Sequence, residues 1–591
     1  MSSAKSVSSA RRWRRAALTA GPVVALAVGT GCLPAAALAA PATPPGAPVG
    51  VIVALDAGAN VAGAEAVVVR KGGTVRRELP IVNGFAATVP GSAVAALRTL
   101  AGVRSVTPDG SGHLMVVDPA LGYDPVSDEG SLSFVRDVVH ATDAWKAGYT
   151  GKGVDVALID SGVAPVAGLT SGTVVNGPDL SFESQYADVR YRDTFGHGTH
   201  MASIIAGRDA AGTPAGYTTG KGYTGIAPDA RIVSVKVAAA DGSADVSQVI
   251  AGIDWVTQHA HDYGLNIKVL NLSYGTDSVQ SSVLDPLSYA VEQAWRKGIV
   301  VVVAAGNDGT LRQELANPAA NPYVLAVGAE DPNYTLASGN DTVPLFAQRG
   351  TAARHVDVVA PGVHILGLRV PNSFVDQLNP LGRVGSRFLR GSGTSQATAV
   401  VSGVAALLLQ KNPAATPDQV KYLITAKAAA FPLARQIWQG TGLVDVRQSL
   451  SLKPADAPVQ KFTTSTGAGT LEGARGSDHV LLGGKALTGE KDIFGRTWNA
   501  TAMSAATAAG TAWSGGDFNG STWTGTAFSG VGTDWTAVKW TGSDGTGGTW
   551  SSRSWVSRSW VSGSWDSRSW VSGVWYSRSW VSDGWADASW S

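Results

Sequence analysis

Four short runs constrain this chain more than anything else in it: "VDVALID" (154–160), "ARIVSVKV" (230–237), "IKVLNLSYG" (267–275) and "IVVVVAAGN" (299–307). Each is too brief for a buried helix and too uniformly apolar for a strand with one face in water. Gly-rich turns and stretches of helical composition separate them. Apolar runs alternating with helices predict an α/β fold with a parallel sheet covered on both faces. Ligands of such sheets bind beyond the carboxyl ends of the strands. Asp160, Ser273 and Asn307 all fall at such ends.

A later stretch, "RGSGTSQATAVVSGVAALLLQ" (390–410), places Ser395 where Gly and Thr give way to a small and apolar helical run. Ser is a favoured N-cap, so the stretch by itself leaves two readings, cap or nucleophile. A serine hydroxyl attacks a carbonyl only when a base takes its proton and a third group orients the base. Asp160 at the end of "ALIDSG" and His197 in "FGHGTHMAS" supply both. The chain order Asp, His, Ser is that of the subtilisin arrangement, and not the His-Asp-Ser or Ser-Asp-His orders found on other folds. A nucleophile elbow would also need Gly at 397, where the chain has Ala397. His197 and His200 form an H-x-x-H pair, but no Cys, Asp or Glu ligands are grouped with them. No metal ligands are therefore expected, and His200 reads as structural.

These motifs resemble the subtilisin-like serine proteases, the subtilases. The resemblance extends to "GIAPDARIVSVKV" (225–237), "LNLSYG" (270–275), "VVAAGND" (302–308), "NPAANPYVLAVGA" (317–329) and "VDVVAPG" (356–362), and covers residues 50 to about 450. It implies a secreted endopeptidase in which Ser395 is the nucleophile, His197 the general base and Asp160 the group that orients the imidazole. Asn307 matches the family's oxyanion-hole asparagine. Ser273, Tyr274 and Gly275, with Ala304, Ala305 and Gly306, match the two segments that pair with substrate backbone and line the first specificity pocket. Gln396 and Ala399 stand where Met and Pro are commoner, and neither change removes a reacting group. No cofactor is required for such chemistry. Calcium stabilises many members of the family, yet no carboxylate loop here offers a place for it. Residues 370–390 are longer than usual and predict a rim loop or hairpin.

Residues 50–108 alternate strands and helices within a small α+β unit, and "NGFAATVPGSAVAALRTLAGVRSVTPD" resembles the family's inhibitory propeptide. Such prodomains help the enzyme fold and then block it until cut. The cut is expected between about 108 and 130. Ahead of this unit, "RRWRR" precedes an apolar, Gly- and Pro-interrupted stretch ending in an A-x-A site at Ala37-Leu38-Ala39, which reads as a removable export signal and not a membrane anchor. Gly29 stands where a lipoprotein box would want an aliphatic residue before Cys32, the single cysteine, so disulfides are excluded. With 46 basic against 45 acidic residues, nothing in the charge balance suggests nucleic acid or anionic lipid as a partner.

From Trp498 the composition changes: fourteen of nineteen tryptophans lie in the last 94 residues, and from Trp550 to Trp590 they recur every five. Five-residue spacing gives no single apolar face on a helix or a long strand. Short strands stacked as a β-solenoid, or a Gly/Ser-rich chain without a fixed fold, both accommodate it. Rows of indoles suit sugar faces, so cell-wall glycan is the candidate partner of the tail. The expected organisation is a signal peptide (1–40), linker and inhibitory propeptide (41–115), subtilisin-like catalytic domain (130–452), linker (453–497) and Trp-rich tail (498–591). The protein is expected to be a monomer, extracellular or wall-associated, acting on polypeptides. The alternative is a polysaccharide-binding protein in which the protease is secondary. An esterase is disfavoured by the strand-pairing segments "LSYG" and "AAGN".

Overall fold

β-Branched residues decide where the strands fall. Four consecutive valines, stiff at χ1 and suited to a pleated surface, open the strand Val300–Ala304. The computed structural model describes residues 48–109, 118, 121–184, 189–210, 212–219, 222–309, 312–432, 434–482, 485–523, 550–551 and 559–560. Two compact units divide the chain after residue 114.

The first unit is a β-α-β-β-α-β fold: β1 (Pro48–Leu55), α1 (Val61–Arg70), β2 (Thr74–Leu79), β3 (Gly84–Pro90), α2 (Ala93–Arg98) and β4 (Val103–Pro108). Its sheet runs β2-β3-β1-β4 with every pair antiparallel. Val53, Phe85, Val68 and Leu97 meet in a core with no exposure to water. Asn60 starts α1 by accepting from the Gly63 N–H at 2.9 Å.

The second unit begins with α3 (Leu132–Val138) and α4 (Ala141–Lys146), followed by β5 (Asp155–Asp160), β6 (Val174–Asp179), α5 (His197–Ala206), α6 (Pro214–Tyr217), β7 (Arg231–Lys236) and α7 (Val246–Gln258). It continues through β8 (Ile267–Leu272), α8 (Pro286–Arg296), β9 (Val300–Ala304), β10 (Leu325–Glu330), β11 (Val358–Pro361) and β12 (Ile365–Leu368). The run ends with α9 (Phe374–Leu378), β13 (Arg383–Val384), β14 (Phe388–Ser392), α10 (Thr394–Lys411) and α11 (Pro417–Thr425). The central sheet has seven parallel strands ordered β11-β10-β9-β8-β5-β7-β6. The chain leaves β5 to one side for β6 and β7, then crosses to the other for β8. This reversal opens a crevice at the carboxyl end of β5, where a functional site is expected in such sheets. Helix α10 packs beneath β8 to β11 and against α5. Residues Thr394 to Leu409 along it are all buried, which explains why its apolar character runs all round.

The segment expected to be a linker, 453–497, is packed onto the catalytic unit instead. Arg475 has no exposed side-chain surface and forks onto the Asp245 carboxylate at 2.7 and 3.2 Å. Tyr323 donates its hydroxyl to the Phe462 carbonyl at 2.7 Å, with the two rings edge to face. The beginning of the expected tail is packed as well. Trp498, Trp513 and Trp523 are buried, and Trp513 donates its indole N–H to the Ala251 carbonyl at 2.9 Å. Residues 513–522 form a small antiparallel sheet. Anchoring here comes from isolated polar and aromatic side chains rather than a periodic apolar face, which leaves no local pattern in the sequence. Only Trp550–Ser551 and Ser559–Trp560 of the strict repeat are described, each as a two-residue strand. The solenoid and unstructured readings of the rest, and the signal peptide, lie outside the described residues.

Candidate active site

Asp160 is the last residue of β5 and is fully buried. Its Oδ1 accepts the Ser161 N–H at 2.8 Å. His197, the first residue of α5, brings Nδ1 to 2.8 and 2.9 Å from the two Asp160 oxygens. A carboxylate only accepts, so Nδ1 carries the proton and the lone pair sits on Nε2, as a general base requires. Gly198 permits this approach: a Cβ there would lie 3.1 Å from Asp160 Oδ1 and collide with the Gly162 carbonyl. A second buried carboxylate, Asp193, accepts the N–H groups of Gly196 at 2.6 Å and Thr199 at 2.8 Å, pinning the turn that starts α5. Ser161 Oγ lies 2.8 Å from Asp193 Oδ1 and 3.2 Å from Asp160 Oδ1, joining the two acids. Burial pushes the Asp193 carboxyl above its ordinary value. Sequence reasoning missed Asp193; its position just before "TFGHG" is the signal that could have found it.

The N-cap of α10 is Gly393, with no side-chain capping bond, so Ser395 lies inside the helix and is not its cap. The residue is 1% exposed. Asn307 follows β9, and its Oδ1 accepts the Thr394 N–H at 2.9 Å and the Thr394 hydroxyl at 3.1 Å. Gly306, at φ 109°, donates its N–H to Thr394 Oγ1 at 3.2 Å. A buried relay fixes the helix from behind: Ser402 to Asn271 at 2.9 Å, Asn271 to Ser273 at 3.1 Å, and Ser273 to the Ser395 carbonyl at 3.4 Å.

A cavity opens beside Ser395. Ser273, Tyr274, Gly275, Ala304, Gly306 and Asn307 line it together with the serine. Ala305 stands behind this wall: its N–H donates to the Val327 carbonyl at 3.0 Å, and its carbonyl accepts the Ala316 N–H at 3.0 Å. The lining also includes Asp277, Asp308, Arg312, Ser477 and Asp478, none of which the sequence singled out.

Residues 151–469, more than half of the chain, match the model described as "Subtilase family". The chain belongs to the subtilase family. Residues 16–109 match "Putative peptidase inhibitor domain", a span covering the first folded unit and part of the expected signal. Serine protease AprX of Bacillus subtilis (strain 168) is 39% identical over 301 residues, half of this subtilase and 65% of that protein. Minor extracellular protease Epr of the same organism is 33% identical, covering 48% of this chain and 36% of its own. Subtilisin DY of Bacillus licheniformis is 33% identical over 52% of this chain and 95% of its own length. The subtilase thus spans less than two thirds of the first two relatives.

His200 is buried in this subtilase, with Nε2 3.1 Å from the Leu389 carbonyl. Burial lowers its pKa to about 3. A Cβ on Gly367 would strike its ring, so the imidazole serves as packing between α5 and β12. Among the described residues no group of three or more His, Cys, Asp or Glu is placed to hold a metal ion, and no helix is long and apolar enough to cross a membrane. The long 370–390 segment forms α9 and the antiparallel β13–β14 hairpin, as expected. Phe374 from it stacks on Phe195, two residues before His197.

Proposed function

We propose that this subtilase is a serine endopeptidase working through Asp160, His197 and Ser395. The observations that support the reading are the buried Asp160–His197 pair at the end of β5 and a cavity lined by Ser395 and Asn307. Ser395 Oγ attacks the scissile carbonyl as His197 Nε2 takes its proton, and Asp160 stabilises the resulting imidazolium. The Ser395 N–H at the start of α10 and the Asn307 amide NH2 receive the oxyanion. His197 then protonates the leaving amine, and water releases the acyl group by the same steps in reverse. Substrate backbone adds as a strand along Ser273–Gly275 and Ala304–Gly306, with Ala305 acting as support for that wall. The catalysis needs no metal or organic cofactor, and structural calcium is left without an assigned site.

The first folded unit acts as inhibitor and folding aid, and the chain is exported and activated by its removal. A Ser395→Ala protein, made in a host without proteases, should keep the propeptide attached and hydrolyse no peptide. Self-cleavage by that protein would overturn the assignment. The five-residue Trp spacing favours a second, separable role in which the repeat holds the enzyme on cell-wall glycan through many weak contacts. A chain ended after residue 523 keeps the buried Arg475, Trp513 and Trp523 in place and tests this role, losing only the short pairings of Trp550–Ser551 with Leu481–Leu482 and of Ser559–Trp560 with β14. It should cleave peptides normally and leave the wall fraction; equal retention would overturn the wall-binding reading.

A further inference from the structure

Lys236 ends β7 beside Asp160 in the parallel register, and only 1% of it is exposed. A buried ammonium is costly unless each of its three protons finds an acceptor. All three do. Nζ donates to the Ser161 carbonyl at 2.9 Å and to the Arg192 carbonyl at 2.8 Å, and it pairs with Glu183 Oε2 at 2.9 Å. Glu183 is itself fixed, Oε1 by the Ala240 N–H at 3.0 Å and Oε2 by the Thr194 hydroxyl at 2.6 Å.

The two carbonyls set this lysine apart from an ordinary buried ion pair. Ser161 follows Asp160, and its hydroxyl joins Asp160 to Asp193 while accepting the Gly198 N–H at 2.9 Å. Arg192 precedes Asp193, the acid that pins the start of α5. One ammonium thus ties the end of β5 to the loop that leads into His197. Burial pushes the Asp179 and Asp193 carboxyls up, and the Lys236 charge opposes that rise. Lys236 takes no part in the wall of the cavity beside Ser395. We propose that Lys236 is a positioning residue: acting through Ser161 and Arg192, it holds Asp160 and Asp193 where they orient His197. This rests on the serine endopeptidase reading above.

The test is kcat and KM of the mature enzyme on one peptide, expressed per folded molecule with the folded fraction read by circular dichroism. Lys236→Met keeps the bulk and loses the charge. It should lower kcat about 10²-fold, as a small displacement of reacting groups does, with KM within about twofold of wild type. Lys236→Ala should lose as much and regain at least about tenfold when propylamine, which replaces the deleted atoms, is added at fixed pH. Propanol should restore nothing. A cavity of about 500 Å³ lined by Arg192, Asp193, Thr194 and Ala240 gives a small amine its path to the clamp. Glu183→Gln, at the less buried end of the clamp, should lower kcat in the same direction and keeps the test decisive if the lysine variants fold poorly. Wild-type kcat in both Lys236→Met and Glu183→Gln, or folded Lys236→Ala that propylamine does not restore, would show that the lysine only fills space. The inference would then fall while the protease reading stands. A wild type that cleaves no peptide overturns both.

Discussion

Asp160 and Glu330 make an instructive pair. Each is the last or near-last residue of a parallel strand, β5 and β10, and each is fully buried. Asp160 accepts from the Ser161 N–H and from His197 Nδ1. Glu330 has no donor on either carboxylate oxygen, and its neighbour is another buried acid, Asp341. Burial, reinforced by the Asp341 charge, pushes the Glu330 carboxyl well above its ordinary range. The same effect raises Asp341 to about 6. Equal burial therefore leads to opposite chemistry. Where donors are aimed at it, a buried carboxylate becomes an electrostatic partner for a base. Without them it keeps its proton and shares it with a neighbour.

Three substitutions probe that contrast, in decreasing size of effect. Asp160→Asn should lower kcat by about 10⁴-fold, because an amide offers His197 Nδ1 a donor and favours the wrong tautomer. A loss below about tenfold would mean that the two buried acids do not differ in function. Asn307→Ala should lower kcat by about 10²- to 10³-fold with KM nearly unchanged, since the amide is needed only once the oxyanion forms. Steady-state kinetics on one peptide checks both.

Glu330→Gln should leave catalysis within about twofold and act on stability alone. The folded pKa of this acid lies above its unfolded value. Its contribution is therefore fully present below about pH 4 and is lost as pH rises, with Asp341 losing its share through about 6. The variant should be more stable than wild type between pH 5 and pH 8, with the difference shrinking as pH falls towards 4. Thermal unfolding in a Ser395→Ala background, which prevents autolysis, measures it. An unchanged pH profile would show that Glu330 and Asp341 do not share a proton.

The sheet was legible because its strands are apolar along their whole length. "VDVALID" and "IVVVVAAGN" correspond to β5 and β9, and their ends carry Asp160 and Asn307 where the crevice opens. What escaped was fixed by side chains far apart in sequence. Ser477 meets Asp277 across 200 residues, and Arg475 meets Asp245 across 230. Neither pairing leaves a local pattern, because a single buried Arg among Gly and Ala has no periodicity to detect. Asp193 escaped for a different reason: a lone Asp before a Gly turn reads as a turn former until its acceptors are seen filled by the start of α5.

The central claim is that one buried hydroxyl, Ser395, is activated by His197. Reaction with a serine-directed phosphonyl fluoride, followed by peptide mapping of the mature protein, tests it most directly. One adduct per chain is predicted, on the peptide containing Ser395, with labelling abolished in Ser395→Ala and slowed at least about 10³-fold in His197→Ala. A stoichiometric adduct on another serine, or equally fast labelling of Ser395 without His197, would contradict the account.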